Sequence, residues 1–172
     1  DTETNDSFGT SVAFAHSSTT FAVGANDASG GSGAVYIFVR NATWVQQASV
    51  KASNTGFGDF FGSSIALSGD GNTLAVGAWG EDSTKIGVTS DAPDEVNTGN
   101  GTDTINAGAV YVYTRNASVW TQQAYVKASN TRANGNFGHS VALDANGNTL
   151  AVGAIGEDSA ATAASAGAVY LY

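Results

Sequence analysis

The sequence predicts an all-β protein built from β-propeller-type, four-stranded antiparallel blades. Three observations predict it: a repeat whose internal spacings are fixed, a period-two alternation of bulky and small residues, and turn dipeptides at matching places. Phe8-Gly9, Phe61-Gly62 and Phe137-Gly138 each open a repeat, and the glycine of a Val-Gly-Ala follows each Phe by 16 residues, at Gly24, Gly77 and Gly153. A Gly-Ala-Val-Tyr then starts at Gly33, Gly108 and Gly167. Trp44 and Trp120 open Trp-x-Gln-Gln-Ala-x-Val-Lys-Ala-Ser, each 17 residues before the next Phe-Gly. Only the stretch between Val-Gly-Ala and Gly-Ala-Val-Tyr varies widely, from 9 to 31 residues. Constant spacing marks the scaffold and variable spacing marks a loop.

The elements follow in order. Repeat one is 1–53, repeat two is 54–129 with an inserted loop at 83–107, and repeat three is 130–172. In repeat two the strands are expected at 61–67, 73–78, 109–114 and 120–128, rich in Val, Ile, Tyr, Phe and Thr. Such residues suit a pleated, half-buried surface. On the first strand Phe61, Ser63, Ile65 and Leu67 share one face, and Gly62, Ser64 and Ala66 the other. Sheets stacked bulky side to small side fit this pattern. Asp70-Gly71 and Asn146-Gly147 stand where tight hairpins need positive φ. Repeat three stops before any Trp-x-Gln-Gln strand, so its fourth strand is missing. Two readings follow: an excised or ordered part of a longer propeller, or a subunit whose neighbours supply the missing strand. A sandwich of three sheets is the rival fold, but it does not explain the equal intervals.

Composition narrows the function classes. The 172 residues carry 15 acids, 6 bases and no cysteine, for a formal charge of -9. That charge argues against a nucleic-acid partner, whose phosphates need Lys and Arg. Without cysteine there are no disulfides, thiolate metal sites or cysteine nucleophiles. No apolar run approaches the ~20 residues of a membrane helix. The absence of methionine and of a signal peptide suggests a processed product or a fragment.

Phe-Gly with Val-Gly-Ala at this distance resembles the FG-GAP repeat, the blade of integrin alpha-subunit propellers. The fuller pattern is similar to secreted and surface proteins with many such repeats: Lys51 to Thr55, Phe61-Gly62, Val76 to Ser83, Gly108 to Tyr111, and in repeat three Val152 to Ser159 and Gly167 to Tyr170. The resemblance implies an extracellular, non-catalytic propeller used for adhesion or scaffolding, with further FG-GAP blades in the same or neighbouring chains as partners. It also implies a place to look for calcium, the loop between strands one and two, patterned Asp-x-Asp-x-Asp-Gly-x-x-Asp in integrin-type blades. Calcium takes six to eight oxygens, several of them carboxylates, and this chain has about one acid per such loop. That is too few, so these loops read first as plain hairpin turns, and Asp144, Asn146 and Asn148 are the set nearest to a cage. The pairs Glu81-Asp82 and Glu157-Asp158 are a second set, able to bridge blades through calcium on an acid-rich rim. No other cofactor is expected.

Four sequons read as glycosylation candidates: Asn41 and Asn116 on equivalent three-to-four hairpins, and Asn5 and Asn100. Trp79, beside the loop mouth, is a candidate for stacking on a sugar. Lys51 and Lys127 read as solvated lysines at the ends of outer strands, discouraging edge pairing. Neither His16 nor His139 belongs to a motif, and Ser11, Ser64 and Ser140 occupy one repeated slot, which marks them as scaffold rather than nucleophiles. No serine elbow, zinc motif or phosphate loop is present. The expected function is a structural or adhesion module that assembles through strand pairing and blade-face packing, as a surface filament or scaffold. The alternatives are a carbohydrate-binding propeller and an accessory propeller of a larger secreted protein.

Overall fold

The computed structural model describes residues 4–17, 19–54, 56–90, 105–158 and 165–172. Three antiparallel sheets follow one another along the chain. The first blade is β1 (Phe8–Phe14), β2 (Thr20–Ala25), β3 (Ala34–Asn41) and β4 (Thr43–Val50), paired in that order. A single turn, α1 (Ala28–Gly31), caps the β2–β3 loop, with positive φ at Ser29 and Gly30. The second blade is β5 (Ser64–Leu67), β6 (Thr73–Ala78), β8 (Ala109–Asn116) and β9 (Val119–Val126). It carries a fifth strand that the periodicity did not show: β7 (Val88–Thr89), from the inserted loop, pairs with Tyr125 and Val126 on the outer edge of β9. The third blade has β10 (Phe137–Leu143), β11 (Leu150–Ala154) and β12 (Ala168–Leu171), with β12 at its edge.

The start of strand one also differs from expectation. Phe61 sits outside β5 and instead forms a parallel bridge to Gly33 of the first blade, as Phe137 does to Gly108 of the second. The glycine after each Phe has positive φ, 100° at Gly9, 91° at Gly62 and 86° at Gly138. This left-handed residue, which suits glycine, kinks the strand. In blades one and three it accompanies a register shift, between Phe8 and Ser11 and between Phe137 and Ser140. In blades two and three the kink turns the Phe and the following glycine carbonyl toward the preceding blade.

The period of two then decides which blade each residue faces. Leu74, Val76, Ala78, Tyr111 and Tyr113 pack with Val35 and Ile37 of the first blade, while Ala75 and Val110 pack with Phe137, Leu150 and Val152 of the third. Every blade thus has a front rich in large side chains and a back where small residues of the first two strands sit beside branched apolar residues of the third, and each interior interface is front against back.

That interface brings main chains too close for side chains. Ser11 Oγ donates to Gly62 O, and Ser64 Oγ to Gly138 O, each at 2.7 Å. The same carbonyls lie directly over Gly24 and Gly77, where a methyl group would overlap them. Gly33 and Gly108 are likewise pressed against the backbones of Phe61 and Phe137. On the opposite rim the hairpins join in series, Ser17 N–H to Gly69 O at 3.0 Å and Gly69 N–H to Ala145 O at 2.8 Å.

Gly77→Ala is therefore expected to lower the unfolding free energy by about 1–3 kcal/mol, the usual range for overpacking. Gly153→Ala, over which only the Ser140 side chain and its own blade lie, is expected to change it little. Chemical denaturation of the two variants checks the contrast.

Candidate functional site

The repeated contacts define a docking surface, and two copies of it stand open. Val12 and Ile65 hold equivalent front positions; Ile65 is 9 % exposed against blade one, whereas Val12 is 64 % exposed. Phe8, Phe14 and Trp44 are exposed on that same front. Their rings join Phe21, Phe38 and Tyr36 in one aromatic sheet surface, with Phe21–Phe38 centroids at 4.8 Å, Phe14–Phe21 at 5.1 Å and Phe8–Tyr36 at 5.6 Å. At the other end, Val169 holds the position of the wholly buried Val110 but is 74 % exposed, and Leu171 beside it is exposed too. A shallow hollow on this back is lined by Ser140, Ala142, Ala151, Gly153 and Val169. Ser140 and Gly153 are the third copies of the residues that receive the Phe-Gly carbonyl elsewhere. The front of blade one and the back of blade three are complementary halves of the interface already made twice.

A second feature lies on the loop rim. Glu81 and Lys127, both wholly buried, form an ion pair with Nζ to Oε2 at 2.5 Å. Tyr125 Oη donates to Glu81 Oε1 at 2.6 Å and Asn54 Nδ2 to the same oxygen at 3.2 Å, while Tyr111 Oη donates to Asn54 Oδ1 at 2.6 Å. A buried carboxylate needs this full set of donors to offset its lost hydration. The reading of Lys127 as a solvated edge lysine is corrected here: the loop strand β7 covers it, with Lys127 N–H donating to Gly87 O. Lys51, its counterpart, is exposed and donates to Ser29 Oγ at 3.2 Å, because Ala28 stands where blade two has Glu81.

The other sequence-derived sites fall as follows. Asp144 Oδ1 accepts the N–H groups of Asn148 and Thr149, at 2.7 and 2.9 Å, closing the hairpin on itself and holding the carboxyl below the usual range. Asn146 and Asn148 are exposed in that hairpin. Asp82 accepts Asn106 N–H at 2.8 Å. Asp158 accepts Ser165 N–H at 2.5 Å and pairs with Arg132, which together lower its pKa. Glu157 is buried, with Asn130 Nδ2 donating to it at 2.7 Å. Among the described residues no three acidic or histidine side chains gather as a metal cage. Trp79 is half-buried and stacks on Phe60 with centroids at 4.6 Å, so one ring face is occupied. Asn41, Asn116 and Asn5 are exposed, the first two beside positive-φ residues Ala42 and Ala117 at the hairpin tips. Asn100 lies outside the described residues.

A profile of the FG-GAP repeat matches residues 1–38, 44–92 and 120–172. This chain belongs to the FG-GAP repeat family. No curated protein sequence matches it. Among solved structures it is similar to Sqt1 of Saccharomyces cerevisiae, with a TM-score of 0.52 over 99 % of this chain at 10 % identity, a likeness of fold alone. The chain spans 33 % of that structure's length. The FG-GAP hallmark residues are the ones found at the blade joint: the Phe that bridges backward, the kinked Gly whose carbonyl is captured, and the glycines that leave room for it.

Sequence reasoning missed the Trp-x-Gln-Gln motif's purpose. Gln47 Oε1 accepts from Arg115 Nη1 and from Trp120 Nε1, each at 3.2 Å, so the glutamine of one FG-GAP blade receives the tryptophan of the next. It also missed the ionic cluster, whose signal was present: Glu81 occurs with Lys127, and Ala28 with the exposed Lys51.

Two outcomes are expected. Lys127→Met is expected to cost about 3–5 kcal/mol, because it strands the Glu81 carboxylate; the double change with Glu81→Leu is expected to recover most of it, as read by urea denaturation. Burial raises the Tyr113 phenol, and burial followed by the neighbouring Tyr170 pushes Tyr172 up to about 12. A pKa raised in the folded state adds stability that is complete below the unfolded value of about 10. It is lost as pH rises above that. The melting temperature is therefore expected to hold to about pH 9 and to fall above about pH 10, as read by thermal denaturation over a pH series.

Proposed function

We propose that this FG-GAP chain is a non-catalytic, extracellular structural or adhesion module that assembles with further FG-GAP blades through face packing and strand pairing. The observation that carries the reading is the match between its two open surfaces. The aromatic front of blade one and the Ser140–Gly153 back of blade three hold the same repeat positions as the two sides of the internal joints. Fully burying one large apolar side chain is worth about 1.5–3 kcal/mol. Val12, Phe14, Val169 and Leu171 therefore give such contacts a substantial drive. An apolar patch of this kind on a folded chain marks an interaction site. The work is mechanical: blade holds blade, and the loop rim and the hairpins with their sequons face outward. The further blades belong to the same polypeptide or to a neighbouring one.

Sedimentation velocity over a concentration series tests this. The chain is expected to self-associate, and Phe14→Asp and Leu171→Asp, on opposite open faces, are each expected to weaken association at least 10-fold while leaving far-UV circular dichroism unchanged. A monomer at all concentrations, or association indifferent to both variants, overturns face packing between separate chains.

A further inference from the structure

The two buried glutamates, Glu81 and Glu157, share a setting. Glu81 and Glu157 hold the same place, four residues after the Val-Gly-Ala glycine. Around Glu157 half of the cluster is already built: Asn130 Nδ2 donates to its Oε1, and Tyr170 Oη donates to Asn130 Oδ1 at 2.6 Å, as Asn54 and Tyr111 do around Glu81. The other half in blade two is Tyr125 Oη and Lys127 Nζ, both carried in or just after strand β9. Blade three has no strand beyond β12 among the described residues. Yet Glu157 is only 3 % exposed. The nearby cation, Arg132, is engaged with Asp158. A carboxylate withdrawn from water with this part of its donor set asks for a cation.

We propose that the outer edge of β12 and the Glu157 carboxylate together form a docking site for one kind of partner, an antiparallel β-strand ending in tyrosine–apolar–lysine, whose lysine closes an ion pair with Glu157. This deepens the assembly reading above and rests on it. Among the described residues no strand pairs with the outer edge of β12, so that edge offers main-chain groups, and Glu157 supplies selection. In blade two the register is Val110 opposite Val126 and Tyr111 opposite Tyr125. On β12 the same register sets Val169 and Tyr170 opposite the partner's apolar residue and tyrosine, and delivers the next residue, lysine, to Glu157. A strand with a neutral residue there leaves the charge buried beside an apolar stem. The partner is thus chosen by one charge rather than by apolar area.

The probe is a fluorescently labelled peptide with the sequence of residues 119–129 of this chain, titrated with the 172-residue protein and read by anisotropy. Saturable binding is expected, at least 10-fold weaker for the Lys127→Gln peptide, which leaves the protein untouched. The Glu157→Gln protein, with its melting curve measured as a control, is expected to bind the parent peptide at least 10-fold more weakly and to lose the difference between the two peptides. Equal binding of both peptides to the unaltered protein overturns the charge selection while leaving strand pairing intact. Absence of binding by a chain that still self-associates overturns the strand site and leaves face packing standing.

Discussion

The joint between successive blades rests on one contact: the carbonyl of a Phe-Gly glycine, turned out of its own sheet, received by a serine hydroxyl and a bare glycine of the blade before it. Ser11 and Ser64 make this bond with the same length. The contact needs glycine on both sides for different reasons. Gly62 and Gly138 need it for the left-handed backbone that aims the carbonyl, and Gly24 and Gly77 for the space the carbonyl enters. Once the main chains meet there, the pleat sets every other residue. Phe61 falls over Tyr111 and Tyr113, at centroid distances of 5.3 and 6.2 Å, and Phe137 over Tyr170 and Tyr172 in nearly the same geometry. The joint also positions the tyrosine hydroxyls that tie each blade to the end of the previous outer strand, Tyr113 to Lys51 O and Tyr172 to Lys127 O.

In the proposed assembly, the interface itself carries the function. An internal surface made twice from similar residue types leaves one copy of its front and one copy of its back exposed at the two ends. The buried glutamates add a second level. Face packing is permissive, since it recurs at both blade joints of this chain. A carboxylate sealed from water is selective, because a strand without the matching cation leaves an uncompensated charge. Blade one, with Ala28 in that place, lacks the device and leaves its lysine in solvent.

Most of the fold was legible because its cause is periodic. Phe-Gly, Val-Gly-Ala and Gly-Ala-Val-Tyr mark backbone contacts that tolerate no other spacing, so the strands around them could be placed by counting. Alternation then told front from back, as Ile65 and Ser64 bear out. What escaped was nonperiodic or long-range. Strand β7 is two residues of an insertion, held by a pairing with β9 that no local pattern announces. Lys127 read as a surface lysine because composition treats every lysine alike; its burial depends on Glu81, 46 positions earlier, and on the loop that covers both. Glu81 and Glu157 read as rim carboxylates for the same reason. The loops between strands two and three carry charge, and the sequence does not reveal which of those charges turn inward.

In the proposed assembly a neighbouring blade seats on the back of blade three as blade three seats on blade two. A high-resolution structure of the assembled material tests it most directly, through the surroundings of Ser140. A Phe-Gly glycine carbonyl from the adjoining blade is expected there, hydrogen-bonded to Ser140 Oγ near the 2.7 Å of Ser11 and Ser64, with Gly153 directly beneath it. Ser140 facing solvent, or a neighbour that meets this back through side chains with its main chain held away, would contradict it.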